Sequence, residues 1–207
     1  MFEKFLKTLK SDPQTGSRRI GGSILGRAAD YANLLQEVSG LSFEKGLYRI
    51  IEENNVEEWK KKLYSAYPAY QDRSIPFAYD WLNRMYCMEL DSTGISSQCL
   101  LVSHITDEVL RIPFGVAQFH NEVLLENIDD ILEPKRFSEF LLQTQRSMLR
   151  LDECASLDVP LFLGGDYSVQ NMKVLDVDVD WEITLQMLSR TRGLKAGTAI
   201  SSVVQKN

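Results

Sequence analysis

The chain has 207 residues, with 23 Lys plus Arg against 29 Asp plus Glu, a formal net charge of -6, 44% hydrophobic residues and 25% charged residues. That length buries a sizeable core, and that balance excludes a disordered, collagen-like or disulfide-framed chain. No apolar run approaches the roughly 20 residues that span a bilayer, the N-terminal Met-Phe-Glu-Lys-Phe-Leu-Lys has no secretory apolar region, and three cysteines without C-x-x-C spacing suit a reducing compartment, so a cytoplasmic protein is expected.

Phe2, Phe5, Leu6 and Leu9 share one helical face, which predicts a short amphipathic helix over 2–10. Ser11 to Gly22 reads as a loop or linker, and Gly21 to Arg27 lacks the Gly-Lys-Ser/Thr ending of a phosphate loop. A helix follows from about Ser23, with Leu25, Ala28, Ala29, Ala32 and Leu35 on one face and a stop at Gly40. Gly46 to Ile51 reads as a strand. Val56, Trp59, Leu63 and Tyr67 form the apolar stripe of a helix over about 55–66, ended by Pro68, with Lys60 to Lys62 on its solvated face. From Ile75 the period changes to that of strands: 75–80, 84–90, 98–105 and 108–112. Their short connections at Leu82-Asn83, 91–94 and Thr106-Asp107 predict an antiparallel meander.

The helical period returns within Phe114 to Asn127 and again over 133–149, with Phe137, Phe140, Leu141, Thr144 and Met148 in phase. Val159 to Leu163 reads as an apolar strand closed by Gly164-Gly165, with Cys154 in a preceding loop. Lys173 to Val179 alternates, placing Asp176 and Asp178 on one strand face with Asp180 in line. Asp180 is the expected N-cap of a last helix from Trp181 to about Thr191, with Glu182 at its positive end and Gly193 beyond its stop. The expected class is α+β, a central antiparallel sheet flanked by helices. Its expected organisation is a helix and linker over 1–22, an α+β region over 23–112 and a C-terminal region over 113–207.

Charge is unevenly spread. Residues 1–74 carry 12 basic and 10 acidic side chains, whereas 75–207 carry 11 and 19. Within 152–182, eight acids face the single Lys173. Such a surface repels phosphate backbones and attracts a basic protein partner, so protein rather than nucleic acid or membrane is the expected partner.

The chemistry-bearing residues are sparse. Asp176, Asp178 and Asp180 lack the wrapping loop that Ca2+ requires, and His104 and His120 have no paired cysteines for zinc. No G-x-S-x-G, H-E-x-x-H or dinucleotide fingerprint is present. No catalytic residue, metal or cofactor is expected. An enzymatic alternative, a small hydrolase or transferase with a Cys or Asp nucleophile, requires His104 or His120 beside Cys87, Cys99, Cys154 or an acid. A regulatory protein-binding scaffold is a third reading. The aromatics Trp59, Tyr64, Tyr67, Tyr70, Phe77, Tyr79, Trp81 and Tyr86 are mostly core by spacing, with any exposed subset suited to anchoring a partner.

Three segments resemble a known family when taken together: Ser39 to Ile50 (SGLSFEKGLYRI), Ile75 to Arg84 (IPFAYDWLNR), and Val159 to Gly165 (VPLFLGG) followed by Thr191-Arg192-Gly193-Leu194 and Gly197-Thr198. In this order the chain, over about 30–200, is similar to bacterial proteins that join a GAD-like N-terminal region to the C-terminal domain of Tde-type DNase immunity proteins of type VI secretion. The PFAYDWL-R stretch also resembles SMI1/KNR4-like (SUKH) immunity proteins. Ser39 and Glu44 depart from the pattern, where a second Gly and an Asn are expected. The resemblance implies a cytosolic, non-enzymatic immunity protein that binds and silences a cognate toxin, often a nuclease. A nuclease groove is lined with Lys and Arg. Carboxylates on alternate strand residues lie about 6.6 Å apart, near the spacing of phosphates, so Asp176 and Asp178, with Asp166 and Asp158, form the expected docking face.

Overall fold

The computed structural model describes residues 1–13, 29–93, 96–195 and 198. The expected linker beyond Pro13, the glycines at 21–26, the start of the second helix and the turn at Gly94 lie outside them. The architecture is α+β, as the periodicity predicts. Six strands form one antiparallel sheet in sequence order: β1 (Ser42–Phe43), β2 (Tyr48–Ile50), β3 (Ser74–Asp80), β4 (Met85–Leu90), β5 (Ser96–Ser103) and β6 (Glu108–Ile112). Short connections fold β1 back on β2 and join β3 to β6 as a meander, whereas residues 51–73, which hold a helix, separate β2 from β3. The β3–β4 register shifts between Pro76 and Ala78, a bulge that leaves Phe77 unpaired with β4 directly after the residue with no N–H to give the ladder.

The sheet is covered on both faces. On one, Tyr86, Met88, Cys99 and Leu101 join the core under α1 (Glu3–Thr8), α2 (Ala29–Val38) and the later helices. The residues between them, Met85, Cys87, Leu100 and Val102, pack on the other face against α3 (Val56–Ala66) and the last helix. Phe2, Phe5 and Leu9 anchor α1 as its stripe predicts, but Leu6 is exposed. After β6 the chain is helical through α4 (Val116–Gln118), a π-turn at Phe119–Val123 and α5 (Leu124–Glu126), then α6 (Ile128–Ile131) and α7 (Pro134–Gln143). Helix α7 stops short of the expected 149, so Met148 lies outside it.

The C-terminal third corrects several expectations. Cys154 lies in a strand, β7 (Glu153–Leu157), which pairs with β8 (Met172–Asp176) as a separate hairpin. All five β7 residues are buried, which erases the alternation that would reveal it. The expected strand at 159–163 is instead a 3-10 turn over Leu161–Leu163, preceded by Pro160 and ended by Gly164 at φ 86°. β8 stops at Asp176, and α8 (Val177–Thr191) begins four residues earlier than expected. Its N-cap is Asp176, whose Oδ1 accepts from the N–H groups of Asp178 and Val179 at 2.9 and 3.1 Å. Asp180 is buried rather than capping. No helix among the described residues is long and apolar enough to cross a membrane.

Two of the segments that carry the family resemblance turn out to hold the fold. Asp80 Oδ1 accepts from the N–H groups of Leu82 and Arg84, both at 3.0 Å, which ties the β3–β4 turn. Its Oδ2 accepts from Arg84 Nε at 2.7 Å and Tyr86 OH at 3.1 Å. Trp81 Nε1 donates to Leu132 O at 2.8 Å. Gly46, at φ 91°, lets Leu149 approach so closely that a Cβ would sit 2.7 Å from its carbonyl oxygen. The buried Arg49 donates to Gly46 O and, at 2.6 Å, to Glu153 O, joining the six-stranded sheet to the β7–β8 hairpin.

Candidate functional site

The same junction builds the most distinctive groove. Tyr79 OH donates to Leu151 O at 2.7 Å, and Val177 N to Asp152 O at 2.9 Å, which sets residues 151–152 and the β8–α8 corner opposite α3. Between them lies a cavity of about 220 Å³ with Trp59, Tyr79 and Val177 in its lining. Five carboxylates (Glu52, Glu58, Asp152, Asp176 and Asp178) line it against one cation, Lys62.

Its centre is a stack. Trp59 lies on Tyr79 with ring centroids 4.5 Å apart and 30° between planes. Arg49 sits 5.0 Å from the Tyr79 centroid on the inner side, and Lys62 Nζ 4.4 Å from the Trp59 centroid on the outer side. The aromatic pair is therefore held between two cations, each drawn to the electron-rich face of a ring. Lys62 also pairs with Asp178, and its side chain is only 20% exposed where Asp178 is 72% exposed. The expected fully solvated face of α3 is thus wrong at Lys62.

The expected docking residues do not share one strand face. Asp176 and Asp178 meet at the groove, one as N-cap and the other in the first helical turn. Asp158 and Asp166 belong to the opposite end of the hairpin: Glu153 pairs with Asp176, whereas Leu157 pairs with Met172, four residues along. That separates the two pairs by about 13 Å of strand. Asp158 pairs there with Lys173 at 2.6 Å. Asp166 accepts from Ser168 Oγ and from Ser168 N at 2.9 Å, and these bonds hold its carboxyl below the usual range. Glu52, Glu58, Asp152 and Trp59 were not among the expected docking residues. The sequence signals for them were the aromatic density around Trp59 and Tyr79 and, for Asp152, the run of acids over 152–182.

The pairing that the enzymatic alternative requires occurs once, at the buried His104–Asp180 contact, where His104 Nδ1, Asn83 Oδ1 and Trp181 Nε1 have no hydrogen-bond partner among the described residues. His104 Nε2 and Asn83 Nδ2 each lie 2.8 Å from Asp180 Oδ2, and His104 stacks on Trp181 at 4.6 Å. Burial alone would raise the Asp180 pKa, but His104, Ser156 and Asn83 outweigh it and hold the carboxyl below its ordinary range. Cys87, Cys99 and Cys154 are buried, which pushes every thiol up, Cys99 to about 12. His120 is caged by Phe2, Phe5, Phe77 and Phe119, donates from Nδ1 to Val116 O at 2.7 Å, accepts at Nε2 from Tyr48 OH at 3.0 Å, and is lowered by burial to about 4. Among the described residues, no group of three or more His, Cys, Asp or Glu is placed to hold a metal.

No family model matches the chain, and no curated protein matches it. Among solved structures it is similar to Atu4351 from Agrobacterium tumefaciens, with 17% identity, a TM-score of 0.61, and coverage of 90% of this chain and 89% of that one. At that identity the likeness shows a shared α+β fold over nearly the whole of both chains.

Proposed function

We propose that the chain is a non-enzymatic immunity protein of the bacterial cytoplasm, which binds a cognate toxin and silences it by covering a basic face. The observation that carries this reading is the Trp59 groove, where five carboxylates surround an aromatic floor. Asp178 is paired with Lys62 and Asp152 with Arg150, so the surplus negative charge that speeds encounter with a basic partner rests on Glu52, Glu58 and the helix-capping Asp176, over a floor formed by the buried Trp59 and Tyr79. The GAD-like and DNase-immunity resemblance of residues 30–200 supports the same reading and makes a nuclease the expected toxin. Buried thiols with raised pKa values and the burial of the His104–Asp180 pair away from solvent favour binding over catalysis.

The test is reconstitution with the toxin encoded beside this gene. The purified chain should abolish that toxin's nuclease activity at one-to-one stoichiometry. Toxin that stays fully active under excess chain, with no complex on gel filtration, would overturn the proposal.

A further inference from the structure

The groove shows not only negative charge but a cation already seated in it. Lys62 reaches across Trp59 to Asp178, leaving Glu52 and Glu58 without an ion pair among the described residues and Asp176 engaged only as a helix cap. We infer that the Trp59 face is a receptor for one arginine side chain of a protein partner, and that Lys62 is its resident, displaceable occupant. This rests on the reading of the chain as a binder of a basic protein, and it names the side chain recognised.

Three features support exchange. The Lys62–Asp178 pair is open to solvent on the Asp178 side, and the contact with Trp59 that the ammonium gives up on leaving is one that an incoming cation restores. A guanidinium is planar, more weakly hydrated than an ammonium and able to lie flat on the indole, so it replaces lysine with advantage. The chain itself uses this preference on the far side of the stack, where the buried Arg49 lies over Tyr79. An arginine over Trp59 completes a cation–aromatic–aromatic–cation column, with Asp178, Glu52 and Glu58 to accept its N–H groups while Asp152 stays with Arg150 and Asp176 caps the helix.

The probe is an end-capped hexa-arginine peptide, titrated calorimetrically against the full chain across a salt series, with hexa-lysine beside it. Hexa-arginine should bind more tightly than hexa-lysine. Lys62→Gln should strengthen hexa-arginine binding by about 3- to 10-fold, because the competitor is gone. Trp59→Leu in the Lys62→Gln background should weaken it by about 10-fold. Because Trp59 also packs in the core, Glu58→Lys, on the exposed face of α3, serves as a second disruption with an intact fold and should weaken binding equally. Lys62→Gln that leaves affinity unchanged or lowers it makes Lys62 a strut and overturns the inference. So does equal binding of the two peptides, or binding indifferent to both Trp59→Leu and Glu58→Lys, which is diffuse charge attraction. None of these failures touches the immunity reading, whose readout is toxin activity.

Discussion

Asp80→Asn isolates what the aspartate of the PFAYDWL-R stretch does. Both carboxylate oxygens are committed: Oδ1 to the Leu82 and Arg84 N–H groups at 3.0 Å, Oδ2 to Arg84 Nε at 2.7 Å and Tyr86 OH at 3.1 Å. Asparagine keeps the first oxygen and sets an NH2 against two donors at the second, removing the negative charge beside a guanidinium whose side chain is 12% exposed. Breaking a buried pair costs about 3–5 kcal/mol. Arg84 retains Ile131 O at 2.5 Å and Glu133 at 3.6 Å, which favours the lower end, about 3 kcal/mol. In a chain of this size that lowers Tm by about 6–12 °C. Urea unfolding should show the midpoint displaced at unchanged slope. Combining Asp80→Asn with Arg84→Met should cost clearly less than the two single losses added, since the pair couples directly. A single variant within about 1 kcal/mol of the parent refutes the claim that this aspartate ties the β3–β4 turn.

His120, lowered by burial to about 4 from an ordinary 6.5, stays neutral in the folded chain while the unfolded chain takes up a proton. Its contribution is therefore complete above pH 6.5 and lost as pH falls towards 4, by about 3 kcal/mol in all; His120→Gln should narrow its deficit against the parent over that window, and a constant deficit in urea melts contradicts the burial argument. Cys87, Cys99 and Cys154 should ignore a thiol reagent at pH 8 in the native chain and react together on unfolding, and a fast native phase would show an accessible thiol. Gly46→Ala, strained at φ 91° and meeting the Leu149 carbonyl, should cost about 1–3 kcal/mol in the same melts, and a neutral result would mean that the loop moves freely.

Legibility in the sequence followed burial. The meander of β3 to β6 declared itself through short polar turns and a strand period, and α3 through Val56, Trp59 and Leu63. β7 stayed hidden because Glu153 to Leu157 are buried throughout, so no polar face alternates with an apolar one. At Asp176-x-Asp178-x-Asp180 three acids competed for one cap. The choice lay further along: Val177, Asp180, Trp181, Thr184 and Leu188 are the buried residues of α8, and that spacing fits only a helix already under way at 177. The groove was illegible for another reason. It is assembled from Gly40, residues within 50–62, Tyr79, 151–152 and 176–178, which only the tertiary fold brings together.

The most direct test of the proposed interface is the association rate between this chain and the proposed toxin partner, taken from the neighbouring gene, measured by stopped flow from low to physiological salt. Glu58→Gln with Asp178→Asn removes charge at the groove, while Asp158→Asn with Asp166→Asn removes as much at the far end of the hairpin. The groove pair should slow association by about 10-fold at low salt and flatten its salt dependence, with the distal pair matching the parent. Equal rates for all three proteins, or slowing only in the distal pair, would contradict an interface at Trp59.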